Sequence, residues 1–84
     1  MQDIYLITGS SSDIGLELIS NILVSNPNSK IICCSTKINS KLRSLKKENK
    51  DRIEIVQLNF LINKEKKIFF DKIKKNKISH FISL

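Results

Sequence analysis

Apolar residues in this chain come in short bursts between polar stretches, and the spacing changes from burst to burst. Ile4-Tyr5-Leu6-Ile7 is continuous and partly β-branched and ends at Thr8-Gly9, the pattern of a strand buried on both faces in a parallel sheet. A polar turn, Ser10-Ser11-Ser12-Asp13, follows. From there Ile14, Leu18, Ile19, Ile22 and Leu23 recur at helical spacing, which predicts a helix whose single apolar stripe faces that sheet. Asn26-Pro27-Asn28 stops it. Ile31-Ile32-Cys33-Cys34, within residues 30–35, predicts a second buried strand. Ile38, Leu42 and Leu45 then mark a second helix with a lysine-rich outer face, broken at Asn49-Lys50-Asp51. Residues 53–58 read as a third strand, residues 64–75 as a third helix carrying Ile68, Phe69 and Ile73, and residues 78–84 as a fourth strand.

The order is βαβαβαβ. Strands alternating with helices of this length need crossover connections, so the expected fold is α/β, a doubly wound parallel sheet with helices on both faces. With 84 residues, 40% of them apolar, the chain holds one small domain. No linker, internal repeat or low-complexity segment divides it. No apolar run approaches the roughly 18 residues of a membrane span, and Met1-Gln2-Asp3 lacks the basic start of a signal peptide, so the expected setting is soluble and cytoplasmic, without a membrane partner.

The net charge is +7, and it is uneven: residues 1–29 carry −3 and residues 30–84 carry +10. A basic chain suggests nucleic acid as a partner. Against this, aromatic residues make up 6% with no Trp, and they do not interleave with basic residues outside Phe69-Phe70, so base stacking is poorly served. Alanine is absent while Ile, Lys and Asn are abundant, the mark of a coding bias that loads every exposed face with lysine. Residues 64–77, with seven Lys against Glu65 and Asp71, keep helical apolar spacing and read as a solvated helix face. A nucleic-acid binder is therefore the least favoured class. The adjacent Cys33 and Cys34 fit neither an ordinary disulfide nor a metal pair, and inside an apolar strand they are expected to be inert.

The segment that carries chemistry is Thr8-Gly9-Ser10-Ser11-Ser12-Asp13-Ile14-Gly15, because it lies between a predicted strand and a predicted helix. Gly9 permits a tight turn off the strand and Gly15 a close approach of helix to sheet, while serine hydroxyls, main-chain N–H groups and the helix dipole offer a site to a pyrophosphate. About 20 residues further on, Ser35-Thr36-Lys37 ends the second strand. Asp or Glu there would meet the ribose of NAD, whereas a cation accommodates the additional phosphate of NADP.

In these residues the sequence resembles the short-chain dehydrogenase/reductase family, whose nucleotide turn reads T-G-x-x-x-G-x-G. Thr8, Gly9 and Gly15 match it, and Ile14 matches the residue between the last two glycines. The middle glycine is Asp13, a residue that tolerates left-handed backbone angles and caps helices well. The longer sugar-nucleotide epimerases of the same superfamily place that glycine where Ser12 stands. The resemblance implies a partial Rossmann sheet of strand order 3-2-1-4. It implies cofactor contacts from Gly9, Ser10, Ser11, Ser12, Asp13, Ile14 and Gly15, from Thr36 and Lys37, and from Asn59 and Phe60 after the third strand, where Asn59 stands in place of the family's adenine-binding Asp. Lys37 sits like the family's NADP-selecting Arg, so NADP is expected, with NAD as the alternative.

The family's Tyr-x-x-x-Lys pair and upstream Ser do not occur: the sole tyrosine, Tyr5, is followed four residues later by Gly9. Tyr5 is expected to pack in the sheet and His80 to be a packed or edge residue of the last strand. No catalytic residue and no metal ligand is assigned. Ile78-Ser79-His80-Phe81-Ile82-Ser83-Leu84 resembles the fourth strand leading into the family's N-N-A-G turn, and the chain ends there. Residues 1–84 are thus expected to be the N-terminal part of an NAD(P)-binding Rossmann domain, a fragment without turnover of its own. Its parent would be an NADP-dependent oxidoreductase acting on a small carbonyl or hydroxyl substrate. A non-catalytic nucleotide-binding module and an NAD-dependent epimerase or dehydratase fragment are the alternatives. An unpaired apolar sheet edge at the fourth strand predicts marginal stability and self-association.

Overall fold

A computed structural model describes residues 2–58 and 63–84. Seven elements follow one another: β1 (Asp3–Thr8), α1 (Asp13–Ser25), β2 (Ser29–Ser35), α2 (Ser40–Glu48), β3 (Ile53–Gln57), α3 (Asn63–Asn76) and β4 (His80–Ser83). The strands form one parallel sheet in the order β3-β2-β1-β4. This is the expected α/β architecture, with β1 in the interior and the chain reversing its direction of travel across the sheet between β3 and β4.

Strand alternation divides the core in two. In register, Ile55, Cys33, Ile7 and Ile82 form one row across the sheet, and Glu54, Ile32, Leu6 and Phe81 form a neighbouring row on the opposite face. The first face joins Ile7, Ile31, Cys33 and Ile53 to Leu16, Ile19 and Ile22 of α1 and Leu42 of α2. The second joins Leu6, Ile32 and Cys34 to Phe69 of α3 and to Leu58. Continuous apolar runs in β1 and β2 are therefore explained by burial on both faces.

The helical stripes depart from the expected ones. In α1 the buried positions are Gly15, Leu16, Ile19 and Ile22, flanked by half-buried Leu18 and Leu23, while Ile14 is 71% exposed. Ser12 caps the helix and Gly15 faces the turn, and in that phase Ile14 points to solvent. In α3 Phe69 and Ile73 pack inward one turn apart, leaving Ile68 and Phe70 exposed. The lysines of α3 face outward as a solvated surface, and Lys72 pairs with Glu54 of β3 at 3.0 Å. Helix α2 starts at Ser40, with Ile38 packing on the core from the preceding loop. Ile78 likewise packs from the turn before β4.

Tyr5 and His80, neighbours in register on β1 and β4, stack with ring centroids 4.5 Å apart. Both are thus sheet residues, as expected. The Arg52 guanidinium ties the far end of the sheet together, donating to the carbonyl oxygens of Ser29, Leu23 and Asn26 at 3.1, 3.1 and 2.8 Å. No helix among the described residues is long and apolar enough to cross a membrane.

Candidate functional site

Because all four strands are parallel, the loops after β1 and β2 and the end of β4 gather at one end of the sheet. A cleft of about 470 Å³ opens there, lined by Thr8 and Gly9, Ser35 and Thr36, Phe69, and Phe81, Ser83 and Leu84 on β4 and just beyond it. Ligands of open α/β sheets bind at this end, at the point where the strand order reverses.

The β1–α1 turn is set by its two glycines and one serine. Gly9 has φ +69, a left-handed conformation, and a Cβ there would also stand 3.2 Å from the Leu84 Cβ. A Cβ on Gly15 would lie 2.8 Å from the carbonyl oxygen of Gly9. Gly9 thus requires glycine for its conformation, and Gly15 requires it for space. Ser12 locks the turn: its Oγ donates to the Gly9 carbonyl at 2.9 Å and accepts from the Gly15 N–H at 3.0 Å.

The other two hydroxyls are engaged in the same way. Ser10 is fully buried and donates to the Ile7 carbonyl at 2.7 Å, and Ser11 Oγ donates to the Lys37 carbonyl. Each of the three serine protons therefore goes to a main-chain oxygen, and the hydroxyls shape the turn. The donors left over are main-chain: the Ser12 and Gly15 N–H groups are used internally, while those of Asp13 and Ile14, at the first two helical positions, have no intrahelical acceptor.

Asp13 neither caps the helix nor adopts a left-handed angle; Ser12 is the cap, and Gly9 and Lys77 are the residues with positive φ among those described. Asp13 is exposed in the first turn of α1, where a carboxylate is favoured by the helix dipole. The tolerance of Asp for this position is therefore dipolar.

Thr36 and Lys37 are exposed just past β2, and their backbone is held closely. The Thr36 carbonyl accepts from Gln57 Nε2 at 3.1 Å, and the Lys37 carbonyl accepts from Ser35 Oγ at 2.7 Å as well as from Ser11. Asn39 Nδ2 donates to the Ser11 carbonyl at 2.8 Å. The structure thus brings Gly9 to Gly15 together with Lys37. Asn59 and Phe60 lie outside the described residues.

Asn39 escaped the sequence reading. Its position three residues before Leu42, at the start of a helix, is a legible cap signature, but its link to Ser11 crosses 28 positions and has no local signal. Cys33 and Cys34 are buried free thiols; burial pushes them up to about 12 and about 11, which removes them from nucleophilic roles. Among the described residues no cluster of His, Cys, Asp or Glu could hold a metal ion.

No protein-family model matches the sequence, and no curated protein matches it. Solved structures do match its shape. A dTDP-glucose 4,6-dehydratase from Bacillus anthracis, in complex with NAD, superposes with a TM-score of 0.80 at 17% identity, over 98% of this chain and 26% of that one. A short-chain dehydrogenase from Streptomyces avermitilis gives 0.79 at 16% identity, over 96% of this chain and 30% of that one. A short-chain dehydrogenase/reductase from Saccharomyces cerevisiae gives 0.79 at 18%, over 96% and 32%. The chain spans about a quarter to a third of the length of these proteins. With its parallel sheet of order β3-β2-β1-β4 and alternating helices, it has the Rossmann-like α/β fold of the short-chain dehydrogenases/reductases and of the NAD-bound dehydratase.

Proposed function

We propose that this chain is the cofactor-binding portion of an NADP-dependent short-chain oxidoreductase, in which the whole protein transfers hydride to or from a carbonyl or hydroxyl substrate. The observation that carries the reading is the contact of Gly15 with the Gly9 carbonyl, with Lys37 bound to the same turn through Ser11. A side chain on Gly15 would fill the space that lets the helix start approach, and the Asp13 and Ile14 N–H groups, without intrahelical acceptors, would donate to a pyrophosphate there. These residues fit a dinucleotide. The cofactor, when bound, would donate hydride to a carbonyl or accept it from the carbon bearing a hydroxyl; this chain's residues would hold and orient it.

Lys37 supports NADP over NAD, as an exposed cation just past β2 with no carboxylate in Ser35-Thr36-Lys37 or in the capping Asn39. A second reading, an NAD-dependent dehydratase or epimerase portion, is favoured by the likeness to the dehydratase that holds NAD. Calorimetric titration of the 84-residue chain with NADPH and NADH separates them. Saturable binding that prefers NADPH, lost or reversed in Lys37→Glu, supports the first reading. A preference for NADH supports the second, and folded protein that binds neither nucleotide overturns both.

In the same reading the 84-residue chain does not turn over alone, since none of its residues is assigned to proton transfer. β4, an edge strand that carries exposed Phe81 and is followed by exposed Leu84, is where it would self-associate. Sedimentation of Phe81→Lys against the native chain tests this: dimer or larger species should be lost in the variant.

A further inference from the structure

Asn39 uses both ends of its side-chain amide. Oδ1 accepts from the Leu42 N–H at 2.9 Å and caps α2, while Nδ2 donates to the Ser11 carbonyl at 2.8 Å. Ser11 Oγ in turn donates to the Lys37 carbonyl, which Ser35 Oγ holds from the other side at 2.7 Å. The path from Asn39 through Ser11 to Lys37 therefore closes a ring between the turn after β1 and the loop after β2. Capping by itself needs only an oxygen, which Ser, Thr or Asp would supply equally well. The amide nitrogen is what distinguishes Asn here, and it is spent on the neighbouring loop.

We infer that Asn39 is a positioning residue for dinucleotide selectivity: without touching the ligand, it latches the Lys37 backbone to the β1–α1 turn, so that the 2′-phosphate and the pyrophosphate of one NADP molecule are met together. The inference rests on the cofactor reading above. The turn around Gly9 and Gly15 has its own lock in Ser12, which does not involve Asn39. Loss of the latch thus loosens the Lys37 side of the site and leaves the pyrophosphate side in place. A ligand that depends on both sides gains from having their relative placement set before it arrives.

The test is Asn39→Ser, which keeps an uncharged capping oxygen and removes the Nδ2 donor. Native and variant chains are titrated with NADPH and with NADH, and their thermal melting is compared. The expected result is NADPH affinity lower by about tenfold, the scale of one lost hydrogen bond, with NADH affinity little changed and melting preserved. Asn39→Thr, which likewise keeps a capping oxygen without the Nδ2 donor, should show the same selective loss, and it serves if Asn39→Ser does not fold. An unchanged NADPH to NADH ratio in the folded variant, or an equal loss for both nucleotides, overturns the inference alone. A native chain that binds neither nucleotide overturns the cofactor reading and the inference with it.

Discussion

Gly15 presses its backbone so closely on Gly9 that a Cβ added to Gly15 would stand 2.8 Å from the Gly9 carbonyl oxygen and 3.1 Å from both the Cα and the carbonyl oxygen of Ser10. All three atoms are main chain, so no rotamer change relieves the overlap. Either the turn or the start of α1 must move.

Gly15→Ala is therefore expected to destabilise the chain by about 1–3 kcal/mol, the usual cost of overpacking, despite the better helix propensity of Ala. It should also weaken NADPH binding, since the moved backbone carries the Asp13 and Ile14 N–H groups that lack intrahelical acceptors. Urea denaturation paired with a nucleotide titration checks both effects; a variant as stable as the native chain would show that the contact is slack.

Asp13 places a carboxylate in the first turn of α1, beside the N–H groups that would receive a phosphate. Asn at this position should cost about 0.3–1 kcal/mol of stability by removing a favourable charge from the helix start. It should also raise NADPH affinity by removing like-charge repulsion, more at low ionic strength than at high. Titrations of native chain and Asp13→Asn at two salt concentrations decide the point. Equal affinity at both would mean that the carboxylate does not sense the ligand.

Arg52 donates to four acceptors: the carbonyls of Leu23, Asn26 and Ser29 and the Ser29 hydroxyl. Lysine retains the charge but has a single ammonium in place of a planar fork. Arg52→Lys should lower stability by about 2 kcal/mol, in the range for charge-assisted bonds lost from a partly buried site. Because Arg52 lies at the end of the sheet opposite the cleft, nucleotide affinity of the folded variant should be unchanged. A matched loss of affinity would show that the two ends of the sheet are coupled.

Burial pushes the Cys33 thiol from its ordinary 9.0 up to about 12 and Cys34 up to about 11. The folded chain therefore keeps both thiols protonated where the unfolded chain has begun to ionise. The sign follows: this contribution to stability is fully present below pH 9 and is lost as pH rises through about 11 and 12. Below the denaturation midpoint, iodoacetamide at pH 8.5 should label neither cysteine until urea opens the core. Rapid labelling of the folded chain would contradict the burial of β2.

How much of this was legible in the sequence can be judged residue by residue. The run Ile4 to Ile7 and the run Ile31 to Cys34 announce doubly buried strands, because a strand with helices on both faces has no position that water selects to be polar. The glycine turn announces itself because left-handed backbone and backbone-to-backbone contact each exclude a side chain, and both demands are local. Strand order followed from the βαβ rhythm and the family resemblance, and TM-scores of 0.79 to 0.80 to solved structures agree with it.

Other features were decided only by tertiary packing. Whether Ile14 or Leu16 faces the sheet depends on the phase at which α1 leaves its cap, and both residues fit a helical period, so apolar identity does not separate them. The serine hydroxyls of Ser10, Ser11 and Ser12 offer donors to any acceptor in reach. That they turn inward to Ile7, Lys37 and Gly9 depends on where those carbonyls stand once β1 and β2 are paired. The bond from Asn39 to Ser11 likewise exists only because adjacent parallel strands bring their following loops together. By itself the sequence determined which residues are apolar, where the chain must turn and where only glycine fits. The fold decided which polar groups meet, because hydrogen bonds between distant loops depend on positions in space that no local pattern records.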